Sequence, residues 1–183
     1  MGYEADIMHF IFQSLLLIVE GILVLSGNNV LAYFGLNHQR LVKLHWILQV
    51  CAAVSLVIGF GSIIAYKRMY DQAHFETWHA ITGLISAILF VISCVGGVVA
   101  LYSTVFQHWV KPAHVKLAHF IVGILAFVIG IISEAFGIYT RWFLYYTNET
   151  VQLVCVLLII LVTVLSIQDS MTNIYHRIKR LLS

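Results

Sequence analysis

The sequence predicts an all-α fold, a polytopic transmembrane helical bundle of five spans. Three observations predict it. The 183 residues are 61% hydrophobic and only 10% charged. Their mean hydropathy of +0.96 lies beyond what a soluble globular domain of this size reaches. The apolar residues gather into five runs, each long enough to cross about 30 Å of hydrocarbon as a helix rising about 1.5 Å per residue. This composition excludes the soluble enzyme classes, and connections this short leave a single domain, 1–183, as the expectation.

The first run covers about 7–25, and Glu4 and Asp6 stand ahead of it where a cleavable signal would be basic. The second covers about 41–66 and the third about 75–102. The fourth, about 113–139, follows Pro112, the chain's single proline, a residue that helices accept in their first turn. The fifth covers about 150–167. The tail, 169–183, with His176, Arg177, Lys179 and Arg180, reads as a short basic helix at the membrane surface, attracted to anionic lipid by about 1 kcal/mol per basic residue. Cys51, Cys94 and Cys155 fall inside apolar runs as small hydrophobes, with neither a zinc-type CxxC pair nor a disulfide framework. Tyr139, Trp142, Phe143, Tyr145 and Tyr146 cluster between the fourth and fifth runs, as interfacial aromatics do.

Orientation follows from the basic residues near the span ends, because cytoplasmic loops hold more Lys and Arg. Arg40, Lys43, Lys111, Lys116, Arg177, Lys179 and Arg180 share one face, whereas only Lys67, Arg68 and Arg141 lie on the other. The first face, with the C-terminus, is expected to be cytoplasmic. Asn148-Glu149-Thr150, a glycosylation sequon, falls on the opposite face, in agreement.

Of the nine histidines, His9, His45, His79 and His119 lie inside the first four spans, one per span. Ionisable groups within spans are expensive and mark functional sites by default. His79, Gly83, Ser93 and Gly97 recur forty residues later as His119, Gly123, Ser133 and Gly137. Each histidine therefore has a glycine one turn on, where something flat would lie against the backbone. Each also comes about one to two turns after its helix begins. Successive spans alternate in direction, so the depths predict two pairs, His9 with His79 towards the outer face and His45 with His119 towards the cytoplasm, about 15 Å apart along the membrane normal. Two functions suit such residues: interhelical glue, each imidazole bonding a carbonyl or hydroxyl, or ligation. Two imidazoles from facing helices suit haem iron, whereas zinc or copper would ask for further carboxylate or thiolate ligands. A haem with both axial positions filled is left with electron transfer.

The motifs Leu44-His45-Trp46-Ile47-Leu48-Gln49, Thr77 to Leu84 and Lys116-Leu117-Ala118-His119 resemble the eukaryotic cytochrome b561 family, in its short form. The resemblance runs from about Glu20 to the tail. It implies a six-helix protein whose four central helices hold two haems b and pass electrons from cytosolic ascorbate across the membrane to monodehydroascorbate or ferric chelates. It also implies that His45 and His119 ligate the cytoplasmic haem iron and His79 the outer one; His9 is taken as the fourth ligand because a lone His79 would leave that iron with an empty site. Two features depart from the family pattern. The peripheral helix expected before the first ligand-bearing span is missing, and Phe10 rather than proline follows His9. Aligning on Glu20-Gly21-Ile22-Leu23 would put Asp6 at the ligand position, nearly one turn earlier.

Ascorbate is an anion, so Arg40, Lys43 and Lys116, close in sequence to His45 and His119, are the candidates to bind it; Arg40 and Lys43 match the family's use of basic residues there. Lys67, Arg68 and His74 are the candidates for an anionic acceptor on the outer face. Positive-inside bias and ordinary exposure account for the same residues without a substrate. Glu20 and Glu134 lie at membrane depth as possible proton carriers, and Gln13 and Gln49 each follow a proposed ligand by one turn. No catalytic side chain is expected, because the cofactors perform the redox step. The expectation is thus a multi-pass protein of an endomembrane, vesicle or plasma membrane, with a possible homodimer and no nucleic-acid partner. The alternatives are a histidine-lined proton or metal transporter, or a truncated non-catalytic membrane protein.

Overall fold

Three of the helices begin where a side chain supplies a cap. The computed structural model describes the backbone of residues 2–25 and 35–182 and the side chains of 13–25, 35–168 and Lys179. Six helices occur among the described residues: α1 (Gly2–Leu23), α2 (His38–Met69), α3 (Trp78–Leu101), α4 (Pro112–Ile138), α5 (Arg141–Tyr146) and α6 (Glu149–Leu182). The extended Asn37 accepts the Arg40 N–H at 3.0 Å and so starts α2 nearly a turn before the expected 41–66. Lys67 and Arg68 lie in its last turn, where positive charge suits the helix dipole.

At the third span the start moves the other way. Phe75 has a φ of 56°, outside helical space, and Thr77 accepts the Ala80 N–H at 3.2 Å, so α3 begins at Trp78 rather than 75. Pro112 opens α4 close to the expected position. The short α5 was not expected; it lies in the aromatic cluster, where Trp142 and Tyr145 pack on Tyr146 with ring centroids 5.2 and 5.0 Å apart. Asn148 caps the start of α6 by accepting the Val151 N–H at 2.9 Å. The expected tail helix, 169–183, is no separate element, because α6 runs unbroken to Leu182. Of its side chains Lys179 is described, and it is exposed; His176, Arg177 and Arg180 lie outside the described side chains.

Among the described residues, four helices are long and apolar enough to cross a bilayer: α2, α3, α4 and Glu149–Gln168 of α6. The first expected span falls on α1, whose described apolar part, Gln13–Leu23, is shorter than a span. Large apolar side chains stand outward along these helices, Val57 being 70% and Val95 62% exposed. Water would not tolerate so extensive an apolar surface, and lipid does. The chain is an integral multi-pass membrane protein.

Contacts divide the chain into two units, Met1–Glu76 and Thr77–Ser183. In the first, α1 and α2 pack antiparallel, with Val19, Gly21, Leu41 and Ala52 among the buried residues. In the second, α3 and α4 form an antiparallel hairpin, with α5 and α6 packed against α4. Phe90, Ala126, Phe127 and Ile131 are buried there. Midway along the hairpin the Ser86 hydroxyl donates to the Ala126 carbonyl at 2.8 Å, and a Cβ on Gly130 would sit 2.9 Å from that hydroxyl. Ser86→Ala should leave the hairpin folded at a cost of about 0.6 kcal/mol, typical of an interhelical bond in lipid. Gly130→Leu should cost more, about 1–3 kcal/mol, by overpacking. Unfolding midpoints in mixed detergent check both.

Candidate functional site

The three described candidate ligands are each held by the same kind of contact. His45 on α2 has its Nδ1 2.6 Å from the Gly21 carbonyl on α1. His79 on α3 has its Nδ1 2.8 Å from the Ser133 carbonyl on α4, and His119 on α4 has its Nδ1 3.0 Å from the Ser93 carbonyl on α3. A carbonyl oxygen only accepts, so each Nδ1 carries the proton. In a neutral imidazole the lone pair then belongs to Nε2. Glue and ligation are therefore not rivals here: one ring nitrogen serves each. Metal-ligating histidines are oriented in this way, by giving their other N–H to a fixed acceptor.

Glycines allow these approaches, though not in the way the repeat suggested. Gly83 and Gly123 do not lie against the histidines that precede them; a Cβ there would meet the Ser133 and Ser93 hydroxyls at 3.1 and 3.2 Å. The glycines facing the imidazoles belong to the opposite helix: a Cβ on Gly137 would lie 3.2 Å from His79 Nδ1, and one on Gly97 3.1 Å from His119 Cε1. Antiparallel packing sets the start of one copy of the repeat against the end of the other. At Gly21 a Cβ would run into Gln49 Nε2, the far end of a flexible side chain, so a larger residue there would make Gln49 move. Gln49 itself donates to the Ile18 carbonyl at 3.4 Å, bonding the next helix.

His79 and His119 lie at opposite ends of the hairpin. Ser93 marks the level of His119 on α3, and positions 79 and 93 are separated by roughly 21 Å at about 1.5 Å per residue. This exceeds the expected 15 Å or so, because α3 begins at Trp78 and puts His79 in its first turn. His9 falls in α1, but its side chain lies outside the described residues.

The candidate substrate residues are mostly exposed. Arg40, Lys43 and Lys116 all stand open, Arg40 and Lys43 in the first turns of α2 and Lys116 three residues before His119 on α4. Lys67, Arg68 and His74 are brought together at the far end of α2. There Lys67 Nζ donates to the Ala73 carbonyl at 2.7 Å, and His74 lies beside Phe75 with centroids 6.0 Å apart. Glu20 is exposed and Glu134 half-buried. Sequence reasoning gave no role to Ser93, Ser133 or Gly21; for the serines, their recurrence with the histidines was the available signal.

Among the described residues no three His, Cys, Asp or Glu side chains converge as a metal cluster. Single imidazoles, each from its own helix and each presenting Nε2, fit a porphyrin iron, whose ring supplies the remaining donors. Membrane helices carrying such imidazoles at both ends of a hairpin define a haem-type membrane redox protein. The family model for eukaryotic cytochrome b561 matches residues 14–144, and the chain belongs to that haem-binding family. The match takes in His45, His79 and His119; His9 precedes it.

The chain is 30% identical over 165 residues to the transmembrane reductase CYB561D2 of Bos taurus, covering 90% of this chain and 73% of that one. The Homo sapiens protein of the same name matches equally, at 30% over 165 residues. A probable transmembrane reductase CYB561D1 of Mus musculus is 31% identical over 83 residues, 44% of this chain and 36% of that one. No solved structure matches the chain. The family and these names support a transmembrane oxidoreductase. Gly137→Val should displace His79 from the Ser133 carbonyl, and Gly97→Val should displace His119 from the Ser93 carbonyl. The imidazole 15N shifts in each variant check this.

Proposed function

We propose that this protein is a transmembrane di-haem b oxidoreductase that takes electrons from cytosolic ascorbate and passes them to monodehydroascorbate or a ferric chelate on the other side. The observation that carries the reading is the common state of His45, His79 and His119, each giving its Nδ1–H to a carbonyl so that Nε2 is the ligand atom. The names of the bovine and human relatives, transmembrane reductases, support the same chemistry.

In this reading residues 1–183 act as one domain. His45 and His119 are assigned to the cytoplasmic haem and His9 and His79 to the outer one, a pairing argued from the depth of each histidine in spans of alternating direction. When bound, the two haems would supply one-electron chemistry. The chain's own residues bind and orient. Arg40, Lys43 and Lys116 offer exposed positive charge to the ascorbate anion on the face that carries most of the basic residues. On the other face Arg68 and His74 meet an anionic acceptor, while Lys67 uses one ammonium hydrogen to close the loop at Ala73 and keeps two for the acceptor. The C-terminus is assigned to the cytoplasm, and two copies of the chain are proposed to pair in the membrane.

Ascorbate added to the purified protein should raise a reduced b-type α-band; a protein without that band is not this reductase. Arg40→Glu combined with Lys43→Glu should raise the KM for ascorbate about tenfold, equivalent to about 1.4 kcal/mol, with haem content unchanged. His79→Ala and His119→Ala should each lose one haem, and not the same one. Loss of the same haem in both would overturn the pairing.

A further inference from the structure

Two threonine hydroxyls in these helices bond within their own helix. Thr82 donates to the Trp78 carbonyl at 2.6 Å and Thr163 to the Ile159 carbonyl at 2.6 Å, the usual resort of a hydroxyl in a span. Ser133 does otherwise. Its hydroxyl crosses to α3 and donates to the His79 carbonyl at 2.8 Å, which turns its oxygen lone pairs towards His79 Nδ1 at 3.3 Å. The Nδ1–H of His79 thus faces two acceptors on one residue, the Ser133 carbonyl and the Ser133 hydroxyl. At the other end of the hairpin His119 Nδ1 faces the Ser93 carbonyl at 3.0 Å and the Ser93 hydroxyl at 3.4 Å. Both serines are buried, Ser133 at 3% and Ser93 at 7% exposure, so water does not stand in for either hydroxyl.

A second observation singles out the hydroxyls rather than the carbonyls alone. Gly83 and Gly123 sit where a Cβ would press on the Ser133 and Ser93 oxygens at 3.1 and 3.2 Å. A Cβ at either position would make the serine oxygen give way by a few tenths of an ångström, although the carbonyl, fixed in the helix, would stay. Each oxygen beside an imidazole therefore comes from a serine of one copy and is bordered by a glycine of the other, the copy that carries that imidazole.

We propose that the Ser93 and Ser133 hydroxyls are positioning groups that tune His119 and His79 as haem ligands, each acting as a second acceptor for Nδ1–H. The inference rests on the assignment of these histidines as ligands. A second acceptor draws the N–H proton away from the ring, makes Nε2 a stronger donor and favours ferric over ferrous iron. Removing a hydroxyl therefore moves the midpoint potential of its own centre to more positive values.

The test is a spectroelectrochemical titration of the full-length protein, with low-temperature EPR of the oxidised form. In Ser133→Ala the component that His79→Ala abolishes should shift positive while the other stays. Ser93→Ala should do the reverse, and each variant should alter the ferric g-values of its own centre only. Ser133→Thr, which restores the hydroxyl, should return the midpoint towards that of the wild type. Fully loaded alanine variants with unmoved midpoints and g-values would overturn the proposal. So would a loss of haem in Ser133→Ala that Ser133→Thr does not rescue. A wild-type chain that carries no haem overturns the ligand assignment itself, and this inference with it, whereas loaded but unshifted variants overturn the serines' role alone.

Discussion

In hydrocarbon an imidazole N–H has no water to bond, and that constraint organises the described part of this protein. Each of the three described span histidines settles it by giving Nδ1–H to a backbone carbonyl of the neighbouring antiparallel helix. A helical carbonyl has a second lone pair, so the contact uses up no helix bond. It links two helices, and it decides which ring nitrogen keeps a lone pair. The cost of burying a polar group is thereby turned into a fixed orientation of each imidazole.

The α3–α4 hairpin shows how one short motif serves both ends of a membrane. The two copies of His, Gly, Ser and Gly run in opposite directions, so the pairing steps backwards along one helix as it steps forwards along the other. This makes an inverted repeat, whose pseudo-two-fold axis crosses the helices rather than following them. The histidine of each copy meets the serine and last glycine of the other. The symmetry breaks mid-hairpin, where Ser86 bonds the Ala126 carbonyl and the partner positions of Ser86 and Gly130 are Ala126 and Phe90. The histidine-bearing ends are the parts the repeat keeps.

Charge is handled differently from the imidazoles. The basic residues near the span ends are largely exposed, and Lys67 alone among the proposed substrate residues gives its side chain to a backbone carbonyl. Exposed charge steers anions without a preformed cage, which fits a proposed traffic of small, freely diffusing redox anions. The two face-specific clusters differ in construction: Arg40 and Lys43 stand on a helix, whereas His74 stands on a loop that contains the positive-φ residues Asp71 and Phe75.

The sequence by itself determined that the chain crosses a membrane, where the second to fifth spans lie within a few residues, and that His45, His79 and His119 lie within them. Those are local properties: hydropathy is read along the chain, and a histidine among leucines is costly wherever its helix packs. The repeat was also legible. Tertiary structure alone decided which carbonyl receives each Nδ1–H, and that Gly137 and Gly97 face the imidazoles while Gly83 and Gly123 seat the serine hydroxyls. Those pairings depend on the register of two antiparallel helices, which joins residues dozens of positions apart and leaves no local mark. The first-turn position of His79 was hidden for a related reason: Phe75 and Thr77 read as part of an apolar run until backbone geometry ended it.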